Sequence, residues 1–87
     1  MPRRNVLARS VLVLVADLNT HRIAVLSLTD GSMITSFGSE GSVEGQLSQP
    51  DSVAFDPTGN RIFVTEWGNH RVSVFDALNY GFLATFG

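Results

Sequence analysis

Residues 65–72 read Thr65-Glu66-Trp67-Gly68-Asn69-His70-Arg71-Val72, and residues 16–23 read Ala16-Asp17-Leu18-Asn19-Thr20-His21-Arg22-Ile23. The two stretches superpose at an offset of 49 residues without a gap. The register carries on outside them: Val15 meets Val64, Val25 meets Val74, and Phe37-Gly38 meets Phe86-Gly87. Asp17 against Glu66, Ile23 against Val72 and Ile34 against Leu83 keep the chemical type. A period of this length is the mark of a repeat architecture, in which each unit is one supersecondary element that buries its apolar face on a neighbour. Function must therefore be sought on a surface built by the repeats.

The second unit is the clearer of the two. Pro50–Asp56 alternates as a strand does, and Asp56-Pro57-Thr58-Gly59-Asn60 has turn chemistry, with proline presetting one φ and glycine and asparagine tolerating positive φ. Arg61–Thr65 is rich in β-branched and aromatic residues, Gly68-Asn69 marks the next turn, and Arg71–Phe75 a third strand. Asn79-Tyr80-Gly81 turns again before Phe82–Phe86. Four short strands separated by close turns describe an antiparallel meander. The first unit repeats the pattern in Leu12–Ala16, Arg22–Leu28 and Met33–Phe37, with Asp30-Gly31 as a hairpin signal between the last two. Its first strand falls near Arg4–Ala8, a charged stretch without alternation. The units thus run over residues 1–38 and 50–87, joined by a polar, glycine-rich connecting loop at 39–49. Ile23, Val25, Leu26 and Leu28, like Ile62, Phe63 and Val64, make strands apolar on both faces. Each sheet is therefore expected to lie between others, and radial stacking of such sheets is a β-propeller.

Composition narrows the function. With 87 residues and no cysteine, the chain has no disulfide or thiolate site to compensate for a small core. A hydrophobic share of 44% is that of a globular chain. All six basic residues are arginine, and three of them, Arg3, Arg4 and Arg9, fall in the first ten positions. Residues 11–87 carry three arginines against eight acids, a poor match for a phosphate backbone that argues against nucleic acid. The run Val11–Ala16 after the basic start has a faint look of a signal peptide. It is short, and its alignment with Ile62–Glu66 reads it as a buried strand. No stretch approaches the roughly 20 apolar residues of a membrane-spanning helix, and the compartment is not readable.

Taken together, Gly38–Gly41, Gly45–Asn60 and Val64–Asp76, with the Asn69-His70-Arg71 turn and the proline before the first strand, resemble the NHL repeat. The resemblance implies an all-β fold, two four-stranded antiparallel blades of an NHL-type β-propeller forming an incomplete ring, where about six blades close one. It also implies a protein-binding function, with single-stranded RNA binding or a propeller enzyme such as the peptide-amidating lyase as alternatives. The first unit departs from the pattern at Thr20, where the second has Asn69, and the second carries Glu66 where aspartate is typical.

In a meander the loops joining strands two and three share an end with the connectors between units. That end gathers Glu66, Trp67, Asn69 and His70, their counterparts Asp17 and His21, and the arginines Arg71 and Arg22 that open the third strands. These eight are the candidate binding residues, since binding groups sit on loops held by a rigid scaffold. Trp67 is the sharpest, as tryptophan is enriched at interface hot spots. For Asp17–Arg22 and Glu66–Arg71 the plainer reading is a turn-locking ion pair. Each histidine stands alone in its unit, so no metal or cofactor is expected. There is no Gly-x-Ser-x-Gly elbow and no phosphate loop, so a non-catalytic interaction module is expected, with a protein partner. A homo-oligomer that completes the ring is a further expectation.

Overall fold

The computed structural model describes residues 12–87. Seven strands follow one another: β1 (Leu12–Asp17), β2 (Arg22–Ser27), β3 (Met33–Phe37), β4 (Pro50–Phe55), β5 (Arg61–Glu66), β6 (Arg71–Asp76) and β7 (Phe82–Phe86). They form two antiparallel meanders, β1-β2-β3 and β4-β5-β6-β7, and no helix occurs among the described residues. The strand expected near Arg4–Ala8, which would make the first sheet four-stranded, lies outside the described residues.

The repeat extends to backbone detail. The β2–β3 ladder shifts register between Val25 and Leu26, and the β6–β7 ladder between Val74 and Phe75, the same place in each unit. His21 and His70, also counterparts, both take positive φ, at 56° and 52°, a region that histidine enters more readily than most residues. Gly68 and Asn69 lie in the second turn, as expected, and the residue that takes positive φ there is His70. Gly68 is needed for another reason. A Cβ there would run into the Ser48 side chain and sit 2.9 Å from the Ser48 carbonyl, so the connector could not lie where it does. In the β4–β5 turn Gly59 takes the positive φ, and the Asp56 carboxylate accepts the Asn60 and Arg61 amides and the Thr58 hydroxyl.

The two sheets stack face to face. Pairing register and the alternation of strand side chains put Leu14, Ala16, Ile23 and Phe37 on one face of the first sheet. They meet Val53, Ile62, Val64 and Phe75 on one face of the second, and Leu47 of the connector completes this core. Phe37 crosses to Phe75 with ring centroids 4.9 Å apart and stacks on Tyr80 at 5.1 Å. Ile23, Leu47, Ile62 and Val64 are fully buried. Side chains of this size contribute about 1.5–3 kcal/mol each on burial. The core therefore lies between the sheets, and each sheet turns its other face outward.

Candidate functional site

The end of the molecule where β5 turns into β6 is organised around one buried carboxylate. Glu66 is the last residue of β5, 2% exposed, and pairs across the ladder with Arg71, the first of β6. Its Oε2 accepts from Arg71 Nε at 2.9 Å and from the Ser73 hydroxyl; its Oε1 accepts from Asn69 Nδ2 at 2.7 Å and the Ser48 amide at 3.2 Å. Burial pushes the Glu66 carboxyl up, but the hydrogen bonds from Ser73, Asn69, Arg71 and Ser48 outweigh it and hold its pKa below the ordinary glutamate value.

Arg71 and Asn69 carry this network into the connector. The Arg71 guanidinium donates to the carbonyls of Ser42 at 2.8 Å and Gln46 at 2.9 Å, and Asn69 Nδ2 to the carbonyl of Gly41 at 3.0 Å. The connector is pinned from the other side as well. The Trp67 and Gly68 amides donate to the Gln49 and Ser48 carbonyls, and the Gln49 amide donates to His21 Nδ1 at 3.1 Å. His21 Nε2 lies 3.7 Å from Glu40, an ion pair whenever the imidazole is protonated. The connector has little regular structure of its own, so side chains at fixed loop positions must supply partners for its polar backbone.

The first unit places its counterparts differently. Asp17 turns back on its own loop, accepting the Asn19 amide at 3.1 Å and the Thr20 amide at 3.4 Å. The Thr20 side chain, the turn amides and the Arg22 charge together hold its pKa below the usual value against the opposing effect of desolvation. Among the described residues Arg22 Nε is buried without a hydrogen-bond partner. Thr20 and Ala24 stand where the second unit has Asn69 and Ser73.

Of the eight candidate residues, Glu66, Asn69, Arg71 and His21 thus bond to turn or connector groups, and Asp17 to its own turn. Trp67 is 65% exposed, its ring tilted over that of exposed His70 with centroids 6.1 Å apart. Its counterpart Leu18 is 47% exposed. Trp67 and His70 border an open concavity of about 350 Å³ floored by Val72, Phe86 and Gly87 on the outward face of the second sheet. Among the described residues no three His, Asp or Glu side chains are placed to share a metal ion. Sequence reading missed the parts played by Leu47, Ser73 and Gln49. Leu47 left a signal, being one of two large apolar residues in a polar connector; the other two left none.

Residues 47–75 match the family described as the NHL repeat, from the connector leucine to the last residue before Asp76. The match takes in Leu47 of the connector, β4, β5 and β6 up to Phe75. The fold is similar to that of a crystal structure from Bacteroides fragilis NCTC 9343, of a protein whose name classes it as exported. The TM-score is 0.77 at 21% identity, over 87% of this chain and 21% of that one. The chain thus spans about a fifth of that protein, and the likeness is one of fold. No curated protein matches the sequence.

Proposed function

We propose that the two sheets are adjacent blades of an NHL-type propeller and that the unit is a non-catalytic module. It binds a protein partner at the loop end, with Trp67 as the anchoring contact. The observation that carries this reading is the 65% exposure of Trp67 on a turn that Glu66, Asn69 and Arg71 bond to the connector. The hydrogen bonds of Glu66, Asn69 and Arg71 hold that turn against the connector, so the indole is presented on a rigid base and little ordering cost remains on binding. A tryptophan with a large apolar area and one N–H donor suits the centre of a protein contact. Glu66 and His21, two groups with acid–base potential at this end, are bonded to turn and connector atoms, which favours binding over catalysis, and the exposed His70 beside the indole adds to the contact surface.

Selection of a displayed peptide library on the immobilised chain tests this. Enriched peptides are expected to lose affinity tenfold or more on Trp67→Ala, with an unchanged far-ultraviolet circular dichroism spectrum. Failure to enrich any peptide, or enriched peptides indifferent to Trp67→Ala, overturns the reading.

A further inference from the structure

We infer that copies of this chain associate head to tail, the outward face of the second sheet of one copy docking on the outward face of the first sheet of the next. The molecule contains the template for that contact. Inside the chain, Leu14, Ile23 and Phe37 of the first sheet pack against Ile62, Val64 and Phe75 of the second. The 49-residue offset carries the first set onto Phe63, Val72 and Phe86, which lie on the outward face of the second sheet. It carries the second set back onto Val13, Val15 and Leu26, which lie on the outward face of the first. Each outward face is thus the repeat equivalent of a face already packed within the chain, and the two are complementary to each other, not to themselves.

Exposure agrees with this. Phe86 is 54% exposed and Val15 40%, and among the described residues nothing packs across either face. The loop end offers a second correspondence. Gly38 borders the place where Leu47 is buried, and a Cβ there would meet Leu47 Cδ1 at 2.5 Å. Its counterpart Gly87 borders the open concavity beside Trp67. It is the same socket without its apolar side chain. Contact between non-equivalent faces is heterologous and closes into a ring when the rotation allows. Propellers of four to eight sheets correspond to two to four copies. Leu18 stays 47% exposed although a sheet is packed beside it, so assembly leaves its counterpart Trp67 reachable. The inference rests on the two sheets being neighbouring repeats and is independent of Trp67.

Light scattering on the full chain is expected to give one species of two to four times the 9.4 kDa chain mass. Phe86→Glu and Val15→Glu each spoil one exposed face and are expected to give folded monomers. Mixed, they are expected to form a dimer and nothing larger, because one good face remains on each. The ring contact of Phe37 with Phe75 maps onto Phe86 of one copy and Leu26 of the next. The chain has no native cysteine, so Phe86→Cys and Leu26→Cys chains, mixed and oxidised, are expected to cross-link to each other in preference to themselves. This second measurement does not need either charged variant to fold. A folded wild-type monomer, a polydisperse aggregate, an oligomer indifferent to both glutamates, or no preference for the disulfide between the Leu26→Cys and Phe86→Cys chains overturns the inference. Loss of peptide binding on Trp67→Ala with the mass unchanged leaves the two proposals separately scored.

Discussion

The turn at 66–71 and the turn at 17–22 share a backbone and differ in what their side chains do. Both end in a histidine at positive φ followed by an arginine that opens the next strand. In the second unit Glu66 collects Arg71, Asn69, Ser73 and the Ser48 amide, and the arginine reaches on to the connector. In the first, Asp17 is one methylene shorter, Thr20 and Ala24 replace the other two side-chain donors, and Arg22 Nε has no partner among the described residues. The apolar pattern and the turn backbone are enough to reproduce the fold of a unit. The polar clasp is a separate device, which in the second unit holds the connector down.

The sharpest way to break this comparison is to remove the two arginines in turn. Arg71 is 15% exposed and pairs with a fully buried carboxylate. Arg71→Ala is therefore expected to cost about 3 kcal/mol, because it leaves that carboxylate without its charged partner. Arg22→Ala is expected to cost less than about 1 kcal/mol. Urea denaturation at one fixed protein concentration measures both, since assembly would make stability concentration-dependent. Equal losses would erase the distinction between the units.

Leu47→Ala comes next, at about 2–3 kcal/mol, since it empties a fully buried site between the sheets. An effect below about 1 kcal/mol would mean that the connector does not seal the core.

The clasp also predicts a pH dependence. The pKa of Glu66 is lower in the folded than in the unfolded chain, so the unfolded state takes up the proton first as pH falls. The contribution of Glu66 is fully present above about pH 4.3, the ordinary glutamate value, and is lost as pH drops through the folded pKa. Glu66→Gln should flatten this part of the stability curve below about pH 4.3 and lower stability at neutral pH. A curve that keeps its acid slope would assign the dependence to other carboxylates.

Grafting sharpens the comparison in the other direction. Asp17→Glu with Thr20→Asn and Ala24→Ser rebuilds the second unit's donors in the first, and a Tm rise of about 4 °C is expected by thermal denaturation. The smallest effect is that of Trp67→Ala, which should change stability by less than about 0.5 kcal/mol.

Much of the fold was legible in the sequence. All seven described strands lie within a residue of where alternation and turn chemistry put their ends, because a sheet with a sharp apolar period and Gly, Asn and Pro between its strands leaves little choice of register. The place of Leu12–Asp17 as a strand came from the repeat, since its run of aliphatic residues carries no alternation of its own. The site was less legible. Pairing of a carboxylate with the arginine across a tight turn follows from ladder geometry, and the structure makes that pair at Glu66–Arg71. The same rule does not explain why Asp17 bonds to its own turn and not to Arg22, which depends on one methylene and on donors at Asn69 and Ser73 that the first unit lacks. Nor does local pattern reveal that Gln49 would donate to His21 across 28 residues. Such contacts are set by how the sheets stack, which no single strand encodes.

The central claim is that the repeat makes two sheets that pack through Phe37 and Phe75. Nuclear Overhauser contacts between selectively labelled rings test it most directly, since the centroids lie 4.9 Å apart. Strong cross-peaks from the Phe37 ring to the Phe75 ring are predicted, and they should survive in Phe86→Glu. A Phe37 ring with no contact to Phe75 and with solvent-exposed shifts would contradict the account.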